Sequence, residues 1–343
     1  VEKIRLGRTE LMVTRSSFGA LPIQRVTFEE AKFLLQKAYE GGINYFDTAR
    51  SYTDSEEKIG YSLAHLREDI VISTKSHGKN GSELREHLET SLENMKTDYI
   101  DIYQFHNAKR VPRPGDETGL YDEVLKARDE GKVRFIGLTS HTLDVALEAA
   151  ASGLFDTIQF PLNHISSDRD LSLISLCKEH DVGVIAMKGL SGGLITDASV
   201  PFVFFRQFDN VVPIWGIQRE WELDQFLAME ADPPELDEEM KEKIARDKRD
   251  LAGNFCRSCG YCMPCPAGID IPQAARMAFL LRRSPFEKYM TPEWKEKMEK
   301  INDCMNCGQC SSRCPYGLDT PALLKTMLAD YEEFYSNYQK QVR

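Results

Sequence analysis

Short apolar runs alternate with amphipathic stretches of helical period along the first 232 residues, which is the pattern of repeated βα units. Eight runs read as strands: Ser16 to Gly19, Ile43 to Ala49, Asp69 to Lys75, Tyr99 to His106, Val133 to Thr139, Thr157 to Asn163, Val182 to Lys188 and Val211 to Gly216. The residues before the first strand are expected to form a capping hairpin. Between strands the pattern predicts helices such as Phe28 to Tyr39, Ser82 to Met95 and Asp122 to Glu130, and Gly41, Gly131 and Gly153 stand where a C′ glycine closes a helix. The weakest unit is the seventh helix, Ala198 to Phe208, which contains Pro201 and a run of Phe. Eight strands in about 230 residues favour an α/β fold closed as a (β/α)8 TIM barrel. The rival, a doubly wound open sheet, would carry a glycine-rich phosphate loop after its first strand, and none is present.

After Asp232 the pattern changes. Pro-Pro is followed by a charged stretch with Leu236, Met240 and Ile244 at helical spacing, so 233–253 reads as a helical linker and 254–343 as a separate, mostly α-helical module. Eight of the nine cysteines lie between 256 and 314 of that module. The ninth, Cys177, shares a helical face with Leu171 and Ile174 and reads as buried packing.

Composition narrows the partners. A net charge of -11 argues against nucleic acid, whose phosphates demand a basic face, and no apolar run is long enough to span a bilayer. The first residues carry charges where a signal peptide needs an apolar core, so a cytoplasmic location is expected. Residues 254–343 hold 12 Lys+Arg against 10 Asp+Glu, so the acidity belongs to the barrel and linker. The module's different surface points to a redox partner protein of its own.

In a reducing compartment clustered thiols point to metal rather than disulfides. The cysteines form two runs, Cys256, Cys259, Cys262, Cys265-Pro and Cys304, Cys307, Cys310, Cys314-Pro. Three thiolates at steps of three wrap three corners of one 4Fe-4S cube, and the Cys before Pro reaches a different cube. The second run has the bacterial ferredoxin spacing; the first is one residue short before its Cys-Pro. Crossed ligation assigns Cys256, Cys259, Cys262 and Cys314 to one cluster and Cys304, Cys307, Cys310 and Cys265 to the other. Zinc knuckles are the alternative, but they leave the third Cys of each run and the trailing Cys-Pro unexplained. Between the runs lie 38 residues with a helix start at Thr291-Pro292-Glu293 and Trp294, Met298 and Ile301 on one face. This long helical spacing resembles the α-helical ferredoxin domains of fumarate reductase iron-sulfur subunits and heterodisulfide reductases.

Barrel chemistry collects at the C-terminal strand ends. Asp47 closes the second strand, Tyr52 follows in the next loop, Lys75 closes the third and His106 the fourth. Singly each has a bland reading: a helix cap, loop packing, a solvated strand end. Together they make an acid site, in which Lys75 favours the phenolate of Tyr52, Asp47 holds the ammonium, and His106 hydrogen-bonds a carbonyl oxygen. Histidines 77, 141 and 164 also follow strand ends and are expected around the barrel mouth.

These four residues, with the surrounding FDTARSYTDSEEKIGYSL and the opening KIRLGRTELMV, resemble the catalytic tetrad and signature of the aldo-keto reductases over roughly residues 3 to 230. The resemblance implies a barrel that binds NADP or NAD, with Tyr52 as proton donor to a small carbonyl substrate, or acceptor from an alcohol. It also implies that Thr139, Ser140 and Gln159 hold the nicotinamide amide. Pro213-Ile-Trp-Gly216-Ile-Gln-Arg219 is similar to the family's phosphate-binding stretch, and Lys188 reads either as a phosphate contact or as a solvent-exposed side chain. Where the family has a stacking aromatic after its seventh strand this chain has Met187-Lys-Gly, and Phe226 stands where an adenine-contacting Asn is common; NAD and NADP both stay open. Three functions follow: a reductase coupled to electron transfer through two 4Fe-4S clusters, an electron-transfer or docking protein on a silent barrel, and a reductase with structural clusters. The first has to reconcile a two-electron hydride with one-electron clusters without a flavin fingerprint.

Overall fold

The computed structural model describes residues 1–251, 255–283 and 286–342. The boundary expected between 253 and 254 lies outside them. An antiparallel hairpin, β1 (Lys3–Arg5) and β2 (Met12–Thr14), precedes eight parallel strands: β3 (Ser17–Gly19), β4 (Tyr45–Asp47), β5 (Val71–Ser76), β6 (Ile100–Phe105), β7 (Val133–Thr139), β8 (Thr157–Pro161), β9 (Gly183–Met187) and β10 (Val211–Gly216). They pair in sequence order and β10 closes on β3, so the sheet is a barrel without edges. Each strand is followed by a helix: α1 (Phe28–Glu40), α2 (Ser55–Leu63), α3 (Gly81–Met95), α4 (Leu120–Asp129), α5 (Leu143–Ala151), α6 (Asp168–Glu179), α7 (Ser199–Phe205) and α8 (Glu220–Ala231).

Local sequence explains the boundaries. Thr27 opens α1 with a capping box, its side chain accepting from Glu30 N, and Ser167 with Asp170 does the same for α6. Several strands are shorter than the apolar runs because the runs continue into the following loop, where pairing persists as single bonds such as Thr48 N to Ser73 O, 2.8 Å. After α1 the left-handed residue is Gly42 (φ 96), not Gly41. A Cβ on Gly41 would meet the Leu227 side chain of α8 at 2.6 Å, so packing rather than backbone conformation requires that glycine.

The hairpin plugs the barrel as expected. Ile4, Leu6, Leu11 and Val13 form one cluster with Tyr45, Val71, Ile102, Ile185 and Val212 near the N-terminal ends of their strands. That end is apolar and closed, which leaves the C-terminal end for polar side chains.

The chain forms two compact units, and the first consists of 1–189 and 199–242. The second consists of 190–198, a segment that leaves the barrel after β9, and 243–343. The linker is helical, α9 (Glu238–Asp250), and the unit boundary falls within it. In the second unit follow α10 (Ile271–Ala274), α11 (Met277–Arg283), α12 (Pro292–Glu299), α13 (Gln309–Arg313) and α14 (Thr320–Val342). Thr291 caps α12, with Pro at its first turn. α14 packs against the other four through Leu324, Leu328 and Tyr331, whose hydroxyl donates to Tyr289 O at 2.8 Å. Among the described residues no helix is long and apolar enough to cross a membrane.

Candidate functional site

The barrel delivers its polar side chains by strand alternation. Residues two apart share a face, so Tyr45 and Asp47, Ser73 and Lys75, and Ile102 and Gln104 point inward in pairs. The Lys75 ammonium donates to Asp47 Oδ2 at 2.6 Å and to the Thr48 carbonyl, and both charged side chains are almost wholly buried, at 1% and 2% exposure. Ser73 Oγ donates to the other carboxylate oxygen at 2.6 Å, and Gln104 Nε2 to the same oxygen at 3.2 Å. Such a pair is tolerable only because the carboxylate is so fully hydrogen-bonded.

Tyr52 sits in a turn, with its N–H donating to Ala49 O and Ser55 N–H donating back to Tyr52 O. The flank of that turn is anchored by buried Glu56, which accepts from Arg50 (2.6 Å), Thr74 (2.6 Å) and Ser91 (2.7 Å). The Tyr52 ring lies 5.2 Å from Lys75 Nζ and meets the His106 ring edge-on at 5.9 Å between centroids. His106 is flanked on another side by His77, stacked at 3.9 Å, and Ser51 Oγ lies 3.5 Å from its Nδ1. The four expected residues are therefore one cluster.

The electrostatics differ from the expectation that Lys75 draws the phenol down. Burial first, and the Asp47 charge second, push the Tyr52 pKa up. Lys75 itself is pulled down by burial, against the opposing pull of Asp47. With Asp47 beside it, the ammonium does not offset the burial of the resting phenol. Burial, and then Lys75, hold His106 well below its usual range, so it stands neutral beside the phenol.

His106 and His141 are both held down in this way, by burial first and then by Lys75 and Lys188 respectively. Unfolding frees each ring to bind a proton near pH ~6.5, so the unfolded state binds more protons below that value and stability falls with acid. The melting temperature should drop between about pH 7.5 and about pH 5.5, and His141→Gln should flatten the slope. An unchanged slope in that variant contradicts this assignment. His164, expected at the mouth, is instead fully buried, its ring 6.4 Å from Phe204.

The positions expected to meet a cofactor also stand at or just beyond strand ends. Gln159, 1% exposed, accepts from Gln104 Nε2 at 2.9 Å. Gln104 thus bridges the Asp47 carboxylate and the Gln159 amide; because a carboxylate only accepts, Gln104 must present its NH2 and Gln159 its oxygen, leaving the Gln159 NH2 to face elsewhere. Gly137 makes room for this bridge, since a Cβ there would lie 2.8 Å from Gln104 Cγ. Thr139 and Ser140 have hydroxyls engaged in the loop: Thr139 Oγ1 accepts from Asn107 N at 2.7 Å and Ser140 Oγ donates to Ala108 O at 2.9 Å. Lys188 has a left-handed backbone (φ 61), its carbonyl accepting from Asn163 at 3.1 Å. Gly216 ends β10 at the surface, and Arg219 is exposed at the N-cap of α8. There the Glu222 carboxylate takes the N–H groups of Gln218 (2.8 Å) and Arg219 (2.9 Å). Sequence reasoning missed Ser73, Gln104 and Glu56; the period of two from Lys75 and His106 was the available signal for the first two.

In the second unit the cysteines surround two cavities. One is lined by Cys256, Cys259, Cys262 and Cys314 with Ile271, Leu318 and Leu323. The other is lined by Cys265, Cys304, Cys307 and Cys310, with Cys262 also reaching it, and by Ile269, Met305 and Leu324. Among the described residues no three His, Cys, Asp or Glu groups converge as ligands of one metal ion would. Four thiols around an apolar hollow suit a multi-atom cluster better than a tetrahedral zinc. Cys177 is fully buried on the inner face of α6, its thiol pushed up to about 12 by that burial, and lines neither cavity.

The Aldo/keto reductase family profile matches residues 15–205, and a 4Fe-4S dicluster domain matches residues 255–319. L-galactose dehydrogenase of Arabidopsis thaliana is 32% identical over 228 residues, covering 59% of this chain and 69% of that protein. An aldo-keto reductase from Bacillus halodurans in its holo form superposes with a TM-score of 0.62 at 23% identity, over 71% of this chain and 95% of that one. One from Klebsiella pneumoniae in complex with NADPH superposes at 0.61 and 20% identity, over 71% and 94%. The eight-stranded barrel with its buried Lys75–Asp47 pair, and the helical unit with its eight cysteines, accord with these matches: the chain belongs to the aldo/keto reductase family and carries a 4Fe-4S dicluster domain after its barrel.

Proposed function

We propose that the barrel is an NAD(P)-dependent oxidoreductase acting on a small carbonyl or alcohol, with Tyr52 as general acid and base, and that the second unit holds two 4Fe-4S clusters in electron exchange with a partner protein or with the cofactor. The observation that carries the reading is the buried Lys75–Asp47 pair, 2.6 Å, beneath the Tyr52 ring and beside His106. When bound, the nicotinamide gives or takes a hydride and the 4Fe-4S groups take and give single electrons.

The residues' parts follow from their contacts. Tyr52, kept protonated by burial, donates its proton to the carbonyl oxygen as the alcohol forms; the adjacent ammonium of Lys75 stabilises the phenolate left behind, and Asp47 holds that ammonium. Neutral His106 donates a hydrogen bond to the same oxygen as charge builds on it. Gln159, with Thr139 and Ser140, receives the carboxamide; Lys188, Gly216 and Arg219 receive the phosphates. The NADPH held by the Klebsiella protein and the dehydrogenase named among the relatives support this class of cofactor and substrate. Cys256, Cys259, Cys262 and Cys314 hold one cluster and Cys265, Cys304, Cys307 and Cys310 the other, a crossed assignment supported by the lining of the two cavities.

The anaerobically purified protein should contain about eight iron and about eight acid-labile sulfide per chain. Its visible absorption should bleach on NAD(P)H addition. Zinc, or half that iron, contradicts two clusters; a spectrum untouched by NAD(P)H with or without substrate contradicts coupling to the cofactor.

A further inference from the structure

The two cysteine cavities are not electrostatically alike. Arg276, just before α11, is 4% exposed, and its guanidinium donates to the carbonyls of Gly192 (2.6 Å) and Pro272 (2.9 Å). Among the described residues no carboxylate reaches it within ion-pair distance. A buried guanidinium satisfied only by neutral carbonyls keeps its full charge, and leaving such a charge uncompensated is costly. Arg276 follows Ala275, which lines the cavity of Cys256, Cys259, Cys262 and Cys314, and its guanidinium stands beside the Cys256 loop: a Cβ at Gly192 would lie 3.0 Å from Arg276 Nη1 and 3.5 Å from Ser258 Cβ, and Ser258 N–H donates to Cys256 Sγ at 3.4 Å. A second cation, Arg257, lines the same cavity, its guanidinium 4.3 Å from the Tyr316 ring and 4.8 Å from Phe255.

The cavity of Cys265, Cys304, Cys307 and Cys310 is lined by apolar side chains and Gln309, with no charged group. Lys300, beside Gly268, and Arg313, 3.5 Å from Met263 O, are exposed, where water screens them.

Resting on the cluster assignment above, we infer that Arg276 is the fixed counter-charge of the cluster held by Cys256, Cys259, Cys262 and Cys314, and that it holds that cluster's reduction potential above the value the same four thiolates would give without it. Reduction adds an electron to a group already made negative by its thiolates. A cation fixed beside it in a low-dielectric interior favours that electron, and net charge near a cluster is among the terms that set its potential. Arg276 does not touch the substrate; it is a positioning residue that acts through charge and anchors the segment 190–198 through Gly192 in the same contact. The two clusters are thereby electronically distinct.

The test is an EPR-monitored redox titration of the full-length holoprotein with dithionite, comparing wild type, Arg276→Gln and Arg276→Lys. The expected result is two resolvable couples, one of them shifted to lower potential in Arg276→Gln and restored in large part in Arg276→Lys, with the other couple unmoved. The shifted couple should be the one that Cys256→Ser perturbs. Unchanged potentials in Arg276→Gln, or an equal shift of both couples, overturn the inference. If Arg276→Gln loses iron while Arg276→Lys keeps it, the charge is required and the inference stands. Loss in both shows that the fork of hydrogen bonds is what matters, and the inference fails. A wild-type protein without iron and sulfide sinks the cluster assignment itself, and this inference with it.

Discussion

Tyr52→Phe is expected to lower kcat/KM for every accepted carbonyl by about 10²- to 10⁴-fold, the range of a lost general acid. The ring stays: its edge contact with His106 and its place near Lys75 need only the aromatic face, so cofactor affinity and melting temperature should hardly change. The pH dependence carries the sign. Burial and Asp47 raise the phenol's pKa, so Tyr52 remains protonated through neutral pH and reduction should show no alkaline loss below about pH 10. Alcohol oxidation needs the phenolate and should climb with pH over the same interval. Steady-state kinetics in both directions checks this; wild-type rates in Tyr52→Phe, or a reduction rate that falls near neutral pH while substrate and cofactor are saturating, contradict the assignment of the acid.

Lys75→Met should be costly twice over. It leaves the Asp47 carboxylate buried with hydrogen bonds from Ser73 and Gln104 but no cation, and breaking one side of a buried pair costs about 3–5 kcal/mol. It also removes the charge that stabilises the departing phenolate, so turnover should fall with stability. The double variant Lys75→Met, Asp47→Asn separates the two effects. With no charge left to strand, denaturant unfolding should show most of the stability recovered, whereas activity should remain low. Recovery of both together would mean that Lys75 serves the fold alone.

The barrel was readable because its strands are buried on both faces and therefore appear as unbroken apolar runs, ending within a few residues of where the structure ends them. The tetrad was readable because Asp47, Lys75 and His106 interrupt those runs at or just after their C-terminal ends. Ser73 and Gln104 lie two residues before Lys75 and His106, a period that marks them as inward, but nothing in an apolar run names the carboxylate that such a residue faces. Glu56 lies on an amphipathic helix where an acid normally meets water, and only the fold brings Arg50, Thr74 and Ser91 to it. The eight thiols announced themselves by spacing. The membership of 190–198 in the second unit did not, since Arg276 binds the Gly192 carbonyl, and a backbone acceptor has no signature in the side chains. The phenol's electrostatics misled because the Lys75–Asp47 pair was legible, but the depth at which the fold buries Tyr52, which raises its pKa most, was not.

The most direct test of hydride transfer on this barrel is a single turnover under anaerobic conditions with NAD(P)H deuterated at the transferring carbon, analysed by mass spectrometry of the alcohol formed. Deuterium is expected on the former carbonyl carbon of the product, with transfer slowed in Tyr52→Phe. Oxidation of the labelled cofactor with reduction of the protein's visible chromophore, and no deuterium in any alcohol, would contradict it.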